Sequence, residues 1–205
     1  MTARPFKGGS IVAFPQRFVV VDIETTGMSP ADSEIIEISA VRFAQGKRVE
    51  TFSTLVKPNR RIGRVITNLT GITNAMTADA PRIAEAIEAF DSFLGRDIIV
   101  GYNVNFDVNY LYDAMMCCHN RPLTNDFVDV LRMTRRLLPE LPDHKQTTVA
   151  AHLGISTVGA HRAETDCLIC AAVMERMKQL VLDRGETEED FCKSFSRTSR
   201  RKSTV

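Results

Sequence analysis

Residues 17–23 read RFVVVDI, an apolar run too continuous for a strand with one wet face. Such a run fits a central strand buried on both sides, so the rest of the chain must cover two faces of a sheet. The run ends on two acids, Asp22 and Glu24, and Thr25-Thr26-Gly27 breaks it. Two positions apart on a strand, the two carboxylates leave the same face. Strand ends of open α/β sheets are where ligands bind. A solvated turn does not explain Asp22, which directly follows four apolar residues.

The surrounding pattern supplies the cover. Residues 35–43 and 48–56 are rich in β-formers and flank Gln45-Gly46-Lys47, a hairpin turn. Lys57-Pro58-Asn59 ends that meander, and a looser stretch containing NLTGITNAM follows. A helix is predicted from about Pro81 to Leu94, with the proline in its first turn. Residues 98–102 read as a short buried strand, and Asn103 or Asn105 can cap a helix running to about Cys118. Residues 127–130 read as a last strand leading into a helix that stops near Pro139. A short helix over 145–153 is closed by Gly154, and the final helix covers about 163–182. The order β-β-β-α-β-α-β-α implies an α/β fold: an antiparallel meander joined to parallel strands, one mixed sheet flanked by helices. After Gly185 the Ser/Thr/Arg-rich chain reads as disordered, although Thr187 and Asp190 have the spacing to cap one further turn.

At 205 residues and 44% hydrophobic, the chain suffices for one packed domain and is too short for two. It carries no apolar run of the roughly 20 residues that span a bilayer, and its N-terminus lacks the pattern of a secretory signal. Five cysteines, two of them adjacent (Cys117, Cys118), argue against a disulfide framework and for a reducing cytoplasm. Residues 191–205 hold five basic side chains and no acid, leaving the rest at −4 against a whole-chain +1. An acidic body with a basic arm suits polyanion binding.

Two further acids share the anomaly of Asp22, and a histidine accompanies them. Asp107 falls in the first turn of its predicted helix, in line with Leu111, Ala114 and Cys118. Taken alone it fits a dipole-favoured helix start as well as a site residue. Asp166 heads the row Cys170, Val173, Met177 and Leu180, where solvent does not explain an acid. His161 lies five residues earlier, about 140° around a helix, so it belongs to the preceding loop, which Gly159 frees. Bare like charges repel and a core will not hold them unpaired. Divalent cations resolve the repulsion, and hard oxygen ligands favour Mg²⁺, with Mn²⁺ able to substitute, over zinc. Two such ions would stabilise the attacking and leaving oxygens of a phosphodiester displacement while His161 takes a proton from water. The Cys167-x-x-Cys170 pair has no second ligand pair at zinc spacing and reads as helix packing.

In order and spacing, DIETTGM, the distant FD of Asp107 and the H-x4-D of His161 and Asp166 resemble the DEDDh (DnaQ-like) 3′–5′ exonucleases. Within that family they are most similar to proofreading epsilon subunits of bacterial replicative DNA polymerases. The resemblance runs from about Phe18 to Leu180. It implies a ribonuclease-H-like fold with a five-stranded sheet, Asp22, Glu24, Asp107 and Asp166 as ligands of two ions, and His161 as general base. It also implies nucleotide contacts at Thr25, Thr26, Gly27 and Met28, with Met28 wedging at the terminal bases. Asn103, Phe106 and His161 join that substrate set, and LTGIT at 69–73 matches a substrate-side loop. Tyr102 departs from the pattern, in which histidine is common.

On this reading residues 1–15 are an N-terminal extension, 16–183 the exonuclease domain and 184–205 a basic flexible tail. The expected substrate is the 3′ end of single-stranded DNA, cut to nucleoside 5′-monophosphates in proofreading or repair. A 3′–5′ exoribonuclease shares the same catalytic set and stays open, as does an inactive polymerase-associated binding subunit. DNA polymerase is a possible partner. Gln179-Leu180-Val181-Leu182 has some likeness to a sliding-clamp peptide, but Asp183 stands where its aromatic end belongs, and helix-end packing is the simpler account.

Overall fold

The computed structural model describes residues 3–201, with side chains through Phe195. The elements run β1 (Ser10–Ile11), β2 (Arg17–Thr25), β3 (Ile35–Ala44), β4 (Lys47–Leu55), α1 (Arg64–Thr70), α2 (Ile83–Leu94) and β5 (Ile98–Gly101). They continue with α3 (Asn105–His119), β6 (Phe127–Asp129), α4 (Val130–Leu137), α5 (Gln146–His152), α6 (Ala163–Asp183) and α7 (Glu188–Arg201). One mixed sheet has the order β1-β6-β5-β2-β3-β4. β2 is central, antiparallel to β3 and parallel to β5.

The periodicity of β2 decides which helices meet which residues. Phe18 and Val20 point into a core with α4, α5 and α6, where Met133, Val149, Val173 and Met177 are buried. Val19, Val21 and Ile23 point the other way, into a core with α2 and α3 built on Ile87, Phe90, Val108 and Leu111. Both faces are covered, as the apolar run requires. The alternation also assigns Asp22 and Glu24 to the α6 side, two and four positions beyond Val20.

The β3–β4 hairpin turns at Gln45 (φ 51°) and Gly46 (φ 73°), a pair of left-handed residues suited to a two-residue turn. Other details depart from expectation. The sheet has six strands, because Ser10–Ile11 pairs in parallel with Phe127–Val128. Of the 1–15 stretch, the described residues from Ala3 on are built into the fold: Gly8 donates its N–H to Leu123 O (3.1 Å), and a side chain at Gly8 would strike Asn125 O. A two-residue strand held by pairing alone leaves little periodicity to read. The stretch read as loose begins with the short helix α1, ended by Gly71 at φ 75°. α2 starts after Arg82, so Pro81 precedes its first turn. Neither asparagine caps α3: Val104 occupies the cap, and Asn103 takes a left-handed φ of 60°.

The largest correction lies beyond Gly185. The chain is helical there as α7, with Thr187 Oγ1 accepting the Asp190 N–H at 3.1 Å. Phe191 is buried, its ring 5.9 Å from that of Phe14, with the Arg136 guanidinium over it. Phe195 packs edge-on against Phe191, ring centroids 5.2 Å apart, so two aromatic residues dock this polar segment. Of the five basic residues read as an arm, Lys202 and the side chains of Arg197, Arg200 and Arg201 lie outside the described residues. Among the described residues no helix is long and apolar enough to cross a membrane.

Candidate active site

Asp22 and Glu24 leave the end of β2 toward α6, whose first turn carries Asp166. One carboxylate oxygen from each of the three lies within 4.8 Å of the others. All three residues are half-buried at the floor of an open cleft of about 890 Å³, with Met28, Asn103 and His161 on its walls. Crowding acids in a partly dry place raises their proton affinity. Glu24 is pushed up to about 8, first by burial and then by Asp166, Glu37 and Asp107. Asp22 is pushed well above the carboxylate range by burial, then by Asp107, Asp166 and Glu24. Asp166 is raised by burial, against which the His161 backbone N–H acts.

Asp107 is near but separate. It is buried in the first turn of α3, and its Oδ1 accepts the N–H of Ile23 at 3.1 Å, between the two strand acids. Burial raises it to about 8, partly countered by its own backbone N–H and then by that of Ile23. The structure thus brings three of the four predicted acids within 4.8 Å of one another, while Asp107 stands outside that group but close enough for its charge to act on Asp22.

His161 is in the loop before α6, as its spacing from Asp166 requires. Gly159 (φ 83°) and His161 (φ 68°) both adopt left-handed backbone, which brings the His161 N–H to Asp166 Oδ2 at 2.8 Å. The imidazole is exposed and lines the cleft.

The remaining predicted contacts divide. Met28 is 83% exposed over the cleft, and Asn103 also lines it, its backbone N–H held by Asp129 Oδ1 at 2.9 Å. Thr25, Thr26, Gly27 and Phe106 do not line it. Thr25 is buried and donates to Gly27 O (2.6 Å), while Thr26 Oγ1 accepts from the N–H of Glu34 (2.9 Å). Gly27 packs so closely that a Cβ would come within 2.5 Å of Ser33 Oγ, and its carbonyl accepts from Tyr110 (2.9 Å). Phe106 packs on Tyr110, ring centroids 4.8 Å apart. These residues shape the turn that presents Met28. Tyr102, the departure from the family pattern, lines the cleft and donates to His144 O at 2.7 Å. Cys167 and Cys170 are buried in the α6 core, their thiols pushed well up by burial.

Three residues escaped the sequence reading. Glu37, opposite Glu24 in the ladder, is buried and held by Arg162 (2.8 Å) and the Ala163 N–H (3.2 Å). Its signal was present: one acid inside the apolar run IIEISAV. Asp129, likewise lone in FVDVL, caps α4 through the Leu131 N–H (3.1 Å). Gln146 donates to Asp166 and had no sequence signal.

An oxygen-only cluster with raised proton affinity fits a hard divalent cation. Residues 19–174 match the family model RNase_T, described as exonuclease. The chain belongs to this exonuclease family. It is 36% identical over 156 residues to the DNA polymerase III subunit epsilon of Aquifex aeolicus, covering 76% of this chain and 77% of that one. The epsilon subunit of Treponema pallidum is 33% identical over 162 residues, covering 78% and 75%. The DNA polymerase III PolC-type of Oceanobacillus iheyensis is 33% identical over 171 residues, covering 83% of this chain but 12% of that one. The chain thus spans about an eighth of the length of its PolC-type relatives.

Among solved structures, exonuclease X in complex with 5′ overhanging duplex DNA aligns with TM-score 0.68 at 26% identity, covering 86% of this chain and 98% of that one. E. coli exonuclease I in complex with a dT13 oligonucleotide gives TM-score 0.73 at 22% identity, covering 82% and 42%. The fold is therefore the ribonuclease-H-like α/β sheet that the resemblance implied. The chain is thus a member of the exonuclease family, similar over about three quarters of its length to two epsilon subunits.

Proposed function

We propose that this domain hydrolyses the last phosphodiester bond at the 3′ end of single-stranded DNA, releasing nucleoside 5′-monophosphates in proofreading or repair. The observation that carries the reading is the approach of Asp22, Glu24 and Asp166 within 4.8 Å at the floor of a cleft walled by His161. These three would hold the catalytic ions, with Asp107, bonded to the Ile23 N–H between the two strand acids, completing the set. When bound, two Mg²⁺ ions, or Mn²⁺ in their place, supply the positive charge that stabilises the attacking and leaving oxygens. His161 accepts the proton of the attacking water, its loop position leaving the imidazole free to reach it. Met28 meets the terminal base from the turn that Thr25, Thr26, Gly27 and Tyr110 brace, while Asn103 and the backbone beside it border the opposite wall.

DNA is favoured by the names of the relatives, which are DNA polymerase III chains, and by the oligodeoxynucleotide in the exonuclease I complex. The same relatives, named as DNA polymerase III subunits, support association with a DNA polymerase and, with it, a cytoplasmic place of action. A clamp contact at 179–182 gains less support, since Val181 is buried and Gln179 bonds Asp183.

The test is product analysis on end-labelled DNA and RNA oligomers of matched sequence with Mg²⁺. Mononucleotide release from the 3′ end of DNA, much faster than from RNA, is expected. Faster trimming of RNA would replace the reading with an exoribonuclease, and no turnover on either with a binding subunit.

A further inference from the structure

Gln146 is the first residue of α5, and its amide reaches Asp166 across the junction of two helices. Nε2 lies 2.9 Å from the Asp166 main-chain oxygen and 3.2 Å from Asp166 Oδ1. Both partners are acceptors, so the amide must turn its NH₂ toward them. The other carboxylate oxygen, Oδ2, accepts the His161 backbone N–H at 2.8 Å. Asp166 is therefore held at both oxygens by donors from two segments, α5 and the loop before α6. An ionised carboxylate offers about four lone-pair sites, and this grip leaves the remainder for the cleft.

The Gln146 amide and the backbone N–H groups of His161 and Arg162 that act on this carboxylate are all neutral donors, and that has a chemical consequence. Glu37, close by, is neutralised by Arg162 at 2.8 Å. A cation on Asp166 would likewise offset the charge that draws a metal, and an acid at 146 would add to the crowding. An amide fixes direction and leaves the charge in place. Gln146 also lines the cleft beside Asp166, so the contact lies at the site itself.

We infer that Gln146 is a positioning residue: it orients the Asp166 carboxylate toward the cleft for a divalent cation. The inference rests on the reading of Asp166 as a metal ligand. Loss of such an outer partner commonly weakens metal affinity about 10–100-fold.

Mn²⁺ titration of the DNA-free full chain by calorimetry tests it, on wild type, Gln146→Met and Asp166→Asn, with melting temperatures taken without metal. Methionine keeps the length of the side chain and removes the donor. Gln146→Ala, a good helix former, replaces it should the methionine variant fold poorly. The expected result is Mn²⁺ affinity about tenfold weaker in Gln146→Met, with turnover recovering to within a few-fold of wild type at saturating Mn²⁺. Wild-type affinity in Gln146→Met beside lost affinity in Asp166→Asn would overturn the inference and leave the metal site standing. A fall in melting temperature with unchanged affinity would equally overturn it, marking the contact as helix docking. Wild-type affinity in Asp166→Asn would overturn the metal-site reading itself, and this inference with it.

Discussion

Glu37 and Glu24 face each other across the β2–β3 ladder, yet of the two it is Glu37 that forms the ion pair with Arg162. Arg162 and the first N–H of α6 close on Glu37, which ties the start of that helix to the sheet. Glu24 makes no such ion pair: burial first, then Asp166, Glu37 and Asp107, push it up to about 8 against the weaker pull of Arg162. The division explains how one corner of the fold holds several carboxylates. One is structural and charge-paired; the others are left in need of a cation.

Glu37→Ala should therefore damage both stability and activity. It strands Arg162 and removes an acceptor from the α6 N-terminus, the turn that carries Asp166. Because Arg162 is half exposed, with its side chain at 46%, the cost should be about 1–3 kcal/mol rather than that of a fully buried pair. Denaturant unfolding measures the loss. Turnover should fall as well, and wild-type rates in this variant would separate the α6 start from the chemistry.

Removing metal should give the protein an unusual pH response. Glu24 and Asp107 both titrate near 8 in the fold, far above ordinary carboxylates. The native state then keeps protons that the unfolded state has lost between about pH 4.5 and 8, so metal-free stability must fall across that window. Below it both states are protonated and the effect is absent. Melting curves in chelator from pH 5 to 8.5 should show the decline, and saturating Mg²⁺ should flatten it. Asp22→Asn should abolish turnover while lessening the decline, because it removes one of the charges. A metal-free melting temperature that rises toward pH 8 would contradict the assigned crowding.

His161→Ala should lower turnover by about 10²–10⁴, the usual contribution of a general base. Metal binding should persist, since the bond to Asp166 Oδ2 comes from the backbone N–H, which alanine retains. The left-handed φ of 68° makes alanine strained there, so His161→Asn, better tolerated in that region, is the matched control. Both variants should lose the acidic limb of the pH–rate profile. Survival of that limb would assign the proton to another group.

The parts of the site legible in the sequence were those where an acid breaks an apolar pattern. Asp22 ends a buried run and Asp166 heads an apolar helix row, so periodicity places each on the inward face of its own element. The same signal at Glu37 and Asp129 was present and unread, because no motif drew attention to it. What stayed illegible depends on tertiary contact. Thr25 to Gly27 follow the first acids, yet fold inward against Ser33, Glu34 and Tyr110 instead of lining the cleft. Gln146 matters through a partner twenty residues away. The strand Ser10–Ile11 exists because β6 offers an edge, and α7 because Phe191 finds a place beside Phe14.

That last contact separates two roles in the C-terminal segment. A basic arm that merely tracks nucleic acid would be removable without loss of stability, whereas α7 is anchored by a phenylalanine 2% exposed. Phe191→Ala should cost about 3–5 kcal/mol, as for a large side chain taken from a core, and deleting residues 191–205 should cost at least as much. Truncation after Phe195 keeps both aromatic anchors and removes four of the five basic residues, Arg197, Arg200, Arg201 and Lys202. Its melting temperature should stay close to that of the full chain. Any role in strand binding should then appear as salt dependence: each phosphate neutralised contributes a slope of about −0.7 in log affinity against log salt. With some contacts transient, the slope for a long single strand should shrink by roughly two units. Dinucleotides, too short to span the distance, should be cut equally by both forms. Equal slopes with and without 196–205 would show that those residues do not hold the strand, leaving α7 as a packing element anchored by Phe191.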